Sequence, residues 1–412
     1  MSVTVIKQIA REVDFAGNTR DSYFAAAYNN NYFEWTGTGA GIKDGEIWFN
    51  GTVKFTKLQG IGGNFKFNVI EYIKSLFGYF DDTSVYQYSD VVVFESNLSK
   101  VVSVKLVVNY DDDSSDEIDL TAYFIPAVRQ HWDYLKTSMY LYESDYLLAT
   151  PMSGSEFCRA LMPTGVAKNL FSQRLRIYKG YPQDITIITK PLHDNLQFTL
   201  FPITGSALGY ENRTITVADG DRTNKWAQRV ILSDGVDTLA ILSTYPQTKG
   251  RMQIGSSADS GTGPTSIFTF TYEIIDECGT YVKWRNAAGG WSHWLFNKNT
   301  RSLIDAKSRG TVNINDGDLF FNSDEENLGV DANEKIQFMA QNLDKTDYDY
   351  LIDLSTSPCV YLYMEPKGTK MNAYSWMKLP QISNFKYSKK TESQRYNIGF
   401  EFSVPKTFTQ NL

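Results

Sequence analysis

Apolar residues recur with a period of two in many short runs along this 412-residue chain, which is the pattern of half-buried strands. The clearest case is near the C-terminus. Tyr396, Ile398, Phe400, Phe402 and Val404 alternate with polar or small residues, and Pro405 ends the run. GEIWFNGTVKFTKL places two strands around the Asn50-Gly51 turn, a strong hairpin signal. Val101 to Tyr110 and Glu117 to Ile125 flank DDDSSDE, predicting two strands with an acidic, solvated tip between them. Further strands are predicted over Val3–Ile6, Arg174–Tyr178, Asp184–Thr189, Asn195–Pro202, Arg213–Val217, Val230–Leu242, Ile267–Ile275 and Cys359–Glu365.

The period changes in two places. After Asn68, the residues Val69, Ile70, Ile73, Leu76 and Phe77 fall on one helical stripe, and Gly78 stops it. Asn68 and Glu71 have the spacing of a capping box. A second short helix is predicted over Thr346–Leu354, capped by Thr346 with Asp349 three residues on.

The fold expected is mainly β with a few short helices, as several sandwich-like or barrel-like β domains. The length exceeds one ordinary core. GSSADSGTGPTS, Gly255 to Ser266, offers the best boundary. The division expected is β-rich segments over 1–126, 127–255 and 267–412, with 256–266 as a linker or exposed loop.

Hydrophobic residues make up 42% and charged residues 21%, a globular composition. The formal net charge of −7, without a basic run, argues against gripping nucleic acid. The opening MSVTVIKQIAREVDFAGN lacks the apolar core of a signal peptide. No apolar stretch approaches the roughly 20 residues that span a bilayer. Synthesis in a cytoplasm, with no encoded membrane anchor, is therefore expected. Cys158, Cys278 and Cys359 are too few and too scattered for a disulfide framework, so buried free thiols are expected.

Candidate chemistry is sparse. His131, His193 and His293 have no Cys or second His at zinc spacing. Ser155 follows Gly154, but Ser153 and Phe157 stand where a nucleophile elbow needs glycines. No P-loop or dinucleotide fingerprint occurs. DDDSSDE and NDGDLFFNSDEEN, Asn315 to Asn327, do not have the spacing of a calcium loop. No catalytic, cofactor-binding or metal-binding residue is assigned.

One stretch concentrates aromatic residues: YVKWRNAAGGWSHWLFNK, from Tyr281 to Lys298. NAAGG is hairpin-loop chemistry. Val282 and Trp284 share one face of the first strand. On the second, Trp294 and Phe296 share one face, while Trp291, His293 and Leu295 share the other. A hairpin with rings on both faces is either sandwiched between layers or partly exposed to a partner. A sugar platform would add carboxylates or amides, whereas the neighbours here are Lys283, Arg285 and Ser292.

The order of four pieces resembles the tail proteins of crAss-like bacteriophages. They are IKQIAREVDFAGNTRDSYF near the start, RLRIYKGYPQDITII from Arg174, CGTYVKWRNAAGGWSHWLF from Cys278 and YNIGFEFSVP from Tyr396. The closest likeness is to tail hub or ring-forming components of short tails. The resemblance implies a virion structural protein without enzymatic activity or cofactor. It implies a homo-oligomeric ring around the DNA exit channel, in contact with other tail and portal-proximal proteins. DNA would pass through the lumen without specific binding. In such a ring, Trp284 is expected inside its own domain, and Trp291 or Trp294 at an inter-subunit contact. The alternatives are a receptor- or carbohydrate-binding tail component and a tail-associated hydrolase.

Overall fold

The computed structural model is mainly β, and its strands form stacked open sheets. It describes the chain except residues 1, 8–10, 14–18, 22–23, 29–30, 59, 79–91, 94–98, 129–157, 161–173, 190–194, 215–226, 246, 258–265, 298–299, 309, 314–324, 328–329, 391–394 and 405–412. His131, His193 and Ser155 therefore lie outside the described residues, as does most of the acidic stretch that begins at Asn315. Three α-helices occur among the described residues: α1 (Ile70–Phe77), α2 (Ala240–Thr244) and α3 (Lys345–Ile352).

The first sandwich sets a three-stranded sheet (Val3–Lys7, Tyr32–Gly37, Asn64–Asn68) against a five-stranded one. The larger sheet runs in the order Phe24–Ala26, Ser115–Ile125, Lys100–Tyr110, Ile42–Phe49, Val53–Leu58. Phe33, Trp35 and Phe65 pack on Ile47, Phe49, Leu106 and Val108 between the sheets. Asn50 and Gly51 both take positive φ, +49° and +67°, so the Asn-Gly turn has the hand that matches strand twist. The long hairpin of Lys100–Tyr110 and Ser115–Ile125 carries the acidic residues at its exposed tip, as its sequence predicts.

Of the predicted stripe, Ile73 and Phe77 of helix α1 and Val69 at its cap are buried, while Ile70 and Leu76 are half-buried. Asn68 Oδ1 accepts the Ile70 N–H at 3.2 Å, and so serves the helix start. Glu71 does not complete the capping box. It pairs instead with Lys74, at 3.3 Å on the exposed face.

The second sandwich opposes a four-stranded sheet to a five-stranded one. The smaller has the order Cys158–Ala160, Pro182–Thr189, Ala227–Asp234, Val92–Val93. The larger has Arg174–Tyr178, Ser266–Ile275, Lys249–Ser257, Asn195–Phe201, Gly209–Thr214. The strands on either side of KGYPQ thus go to opposite layers. Ile185, Ile187, Val230 and Leu232 of one sheet meet Phe198, Ile254 and Phe270 of the other. The stretch predicted as a strand to Leu242 is a strand only to Asp234. Gly235 turns the chain, and α2 follows, burying Ile241 and Leu242 in the same core.

The small-residue stretch does not separate domains. Its flanking strands, Lys249–Ser257 and Ser266–Ile275, are antiparallel neighbours paired through Ser256 and Ser266. The second sandwich therefore extends to Ile275. The boundary moves because composition marks an irregular segment without showing whether its flanks pair.

The third sandwich faces Trp291–Phe296, Thr280–Arg285, Val360–Tyr363 and Trp376–Leu379 against Arg301–Ser308, Val330–Leu343, Arg395–Ser403 and Gln381–Lys390. The last strand is where its alternation put it, with Ile398, Phe400 and Phe402 buried on the inner face. It stops at Ser403, and the Val404 N–H donates to Glu334 O at 2.8 Å. The cap of helix α3 lies two residues before the predicted one. Asp344 Oδ1, rather than Thr346, accepts from the chain, taking the Asp347 N–H at 2.8 Å. A 3₁₀ turn, Asp353–Thr356, extends it, and Leu351 and Leu354 enter the core.

The loop from Met364 to Ser375 clasps the second sandwich. Gly368 N donates to Gly180 O and Met371 N to Asp234 O, at 2.8 and 2.9 Å. Gly235 is required there twice over. Its φ is +104°, and an added Cβ would lie 2.2 Å from Thr369 O. Gly235→Ala is expected to loosen this clasp and lower the melting temperature, whereas Gly51→Ala, also at positive φ but with open space around it, strains only its turn. Melting curves of the two variants compare the effects. Equal losses would show that the close approach at Gly235 contributes nothing.

Candidate functional site

The aromatic hairpin is buried on both faces and joins all three sandwiches. Thr280–Arg285 pairs with Trp291–Phe296 in a register that sets Val282 opposite Trp294 and Lys283 opposite His293. Asn286 organises the five-residue loop: its Oδ1 accepts from Gly290 N and its carbonyl from Gly289 N. The loop then docks on the first sandwich, where Val128 N donates to Ala287 O at 2.8 Å.

One face carries Val282, Trp284, Trp294 and Phe296 into the core of the third sandwich. Trp284 is wholly buried, as expected, and meets Tyr350 edge-on at 5.5 Å. The opposite face carries Tyr281, Lys283, Arg285, Trp291, His293 and Leu295, and it is buried too. Tyr281 and Leu295 pack on Tyr178 and Tyr181 of the second sandwich. Trp291 belongs to the core of the first, beside Cys359 and Tyr361.

Trp291 and Trp294, expected at an inter-subunit contact, are each 4% exposed in the single chain. Both rings are enclosed by the chain itself. Trp291 has the cationic groups of Arg229, Lys283 and Arg285 within 5.4 Å of its ring centre. Trp294 is covered by the Arg176 guanidinium, 4.5 Å away, from the second sandwich. The second face found a partner within the fold, namely the neighbouring sandwiches.

At the centre lies an ionic cluster that no motif announces. Arg229 donates from Nε and Nη2 to the two oxygens of Asp184, at 3.1 and 2.7 Å. His293 Nε2 stands 3.7 Å from Asp184 Oδ2. Lys283 Nζ lies 4.1 Å above the Trp376 ring. The side chains of Asp184 and Arg229 have no exposed surface, and Lys283 is wholly buried. Burial opposes ionisation of Asp184, but Arg229, His293 and Lys283 outweigh it and hold the carboxyl below the ordinary carboxylate range. Strand pairing brings these groups together, since Asp184 and Arg229 sit on neighbouring strands and Lys283 opposite His293.

A His–Asp pair can orient a general base, but a base needs access to substrate. This pair is sealed by three layers, and the geometry assigns it to holding those layers in place. A second ionic set supports the same junction: Arg176 pairs with Asp347, and Arg174 with Asp344 at 3.3 Å. Among the described residues no group of three or more His, Cys, Asp or Glu could hold a metal ion. Cys359 is a buried free thiol, while Cys278 is a free thiol on the surface, contrary to expectation. Among the described residues no helix is long and apolar enough to cross a membrane.

Sequence reasoning missed Asp184, Arg229, Lys283 and Arg285 as buried groups. The available signal was a charge inside an apolar run, in DITII and RVIL, and the two cations between rings in VKWRN. No family model matches the chain, and no curated protein matches it.

Proposed function

We propose that this chain is a structural subunit of the short tail of a bacteriophage, part of a hub or ring around the DNA exit channel, without a catalytic role. The observation that carries the reading is the hairpin from Thr280 to Phe296, buried on both faces and tying three sandwiches together. A body joined this way suits a load-bearing subunit, because its concentrated aromatic and ionic groups hold layers rather than line a cleft. The resemblance of its four sequence pieces to tail hub proteins points the same way. A formal charge of −7 suits a lumen through which DNA slides without adhering. Localisation in the virion tail, with portal-proximal and tail proteins as neighbours, follows from this reading. Antibodies to the chain should label the tail of intact particles, and the pure protein should form closed rings. Label confined to the capsid or absent from particles would refute it.

One observation favours the alternative of a carbohydrate-binding tail component. On the outer face of the first sandwich, Asp119, Lys105, Trp48 and Lys54 form one cross-strand rank beside a groove of about 590 Å³. Glu46 accepts from Trp48 Nε1 at 2.9 Å, giving a ring flanked by carboxylates. However, Lys54 already covers that ring at 4.4 Å. A soluble trimer whose adsorption to host glycans is lost in Trp48→Ala would establish this second reading.

A further inference from the structure

The third sandwich has an unfilled cleft on its outer face, about 680 Å³ in volume. Strand register explains its shape. Arg301, Gln337 and Glu401 align in one cross-strand rank, and Met339, Gly399 and Lys386 in the next. Gly399 leaves a gap between Met339 and Lys386. A Cβ placed there would lie in ordinary van der Waals contact with Phe338 O, Lys386 O and Met339 Cε, at 3.8 to 3.9 Å, so the position has room for little more than a methyl group.

The charges around this gap are unbalanced. Glu401 is engaged by Gln337 Nε2 at 2.7 Å and Lys335 Nζ at 3.3 Å. Arg301 and Lys386 are both exposed, and among the described residues neither has an ion-pair partner. The cleft therefore presents two exposed cations, without ion-pair partners among the described residues, around a glycine that has the Met339 side chain beside it, and it fits an acidic protrusion.

The same chain carries such a protrusion elsewhere. Asp111, Asp112, Asp113, Asp116 and Glu117 stand at the tip of the long hairpin of the first sandwich. Among the described residues only Lys43 and Lys105 pair with them, through exposed contacts of 3.5 and 2.9 Å that contribute little. No tip residue lines the cleft of its own chain. A two-stranded tip is about 5 Å between strand axes, and a four-stranded face offers roughly 14 Å, so the widths are compatible.

We infer that the acidic tip of one copy docks in the Arg301–Lys386 cleft of the next. Such a contact joins two different surfaces, so it is head-to-tail, and repetition closes a ring if the rotation permits. The inference rests on the ring reading above and supplies its interface. Carboxylates of the tip accept from the Arg301 guanidinium and the Lys386 ammonium of the neighbouring copy. Being charge-based and peripheral, the contact weakens with salt.

Sedimentation of the full-length chain tests it. The wild type should assemble at low salt and dissociate as salt rises. The cleft variant Arg301→Glu with Lys386→Glu, and the tip variant Asp112→Lys with Asp113→Lys, should each remain monomeric and still melt cooperatively, the tip variant at a lower temperature because Asp112 no longer accepts from Ser114 N and Oγ. Mixed in equal amounts they should assemble again, because each reversed surface then meets a complementary one. Assembly that persists in either variant alone, or fails to return in the mixture, overturns the inference. So does a wild type that stays monomeric at low salt. So does a monomer that captures a sulfated oligosaccharide in the wild type but not in the cleft variant, which would make the occupant an acidic glycan. Rings that form regardless of these substitutions would remove this interface and leave the proposed function standing, whereas absence of label from tails would remove the function itself.

Discussion

Asp184→Ala is expected to cost about 3–5 kcal/mol of folding stability, because it leaves Arg229 charged and unpaired in the interior. Both side chains are wholly buried and joined by two hydrogen bonds. The excess would not stop at Arg229, since Lys283 and His293 also face the vacated position. The double variant Asp184→Leu with Arg229→Met should recover most of the loss, because a buried pair replaced by apolar groups of similar volume is often neutral. Recovery should stay incomplete, as Lys283 keeps its charge and loses one of its attractive partners. Chemical denaturation of the three proteins measures these differences. A single variant as stable as the wild type would show that the ion pair does not hold the layers together.

The same carboxyl predicts a pH dependence with a definite sign. Its native pKa is depressed, so its contribution is complete above the unfolded carboxylate value of about 3.9 and is lost as pH falls through the lower native value. Asp184→Asn should therefore flatten the acid limb of the stability curve, with no comparable change in slope near neutrality.

Local signals carried over into the fold wherever the answer was local. The Asn50-Gly51 turn, the stripe of α1 and the alternation from Tyr396 each depend on neighbours along the chain, and each appears, the last strand ending one residue short of Val404. Pairing between distant strands was not legible in the same way. A period of two says which side chains share a face, and it does not say which strand lies alongside. Thus the strands around KGYPQ go to opposite layers, and Ser266–Ile275 joins the sheet before it rather than the one after. The aromatic hairpin was half legible. Its two apolar faces demanded two layers, but Lys283 and Arg285 resemble a solvated edge until Trp291, Trp376 and Asp184 are seen around them.

That hairpin yields the second large effect. Trp284→Ala should cost about 3–5 kcal/mol, since it empties a wholly buried site where Tyr350 loses its edge contact. Trp284→Phe should be milder, because the indole N–H has no hydrogen-bond partner to lose and the phenyl ring still fills part of the site. Trp291→Ala and Trp294→Ala should also destabilise the monomer. The first uncovers three cations gathered round one ring, and the second exposes Arg176 where two sandwiches meet. Melting of the monomer and sedimentation of the assembly, taken together on each variant, separate this from a contact between copies. Stability lost in the monomer, with assembly following the folded fraction, places all three rings inside the subunit. If Trp291→Ala and Trp294→Ala melted like the wild type yet failed to assemble, the rings would open onto a neighbouring copy after all, and the sealed junction described here would not be the state that forms the ring.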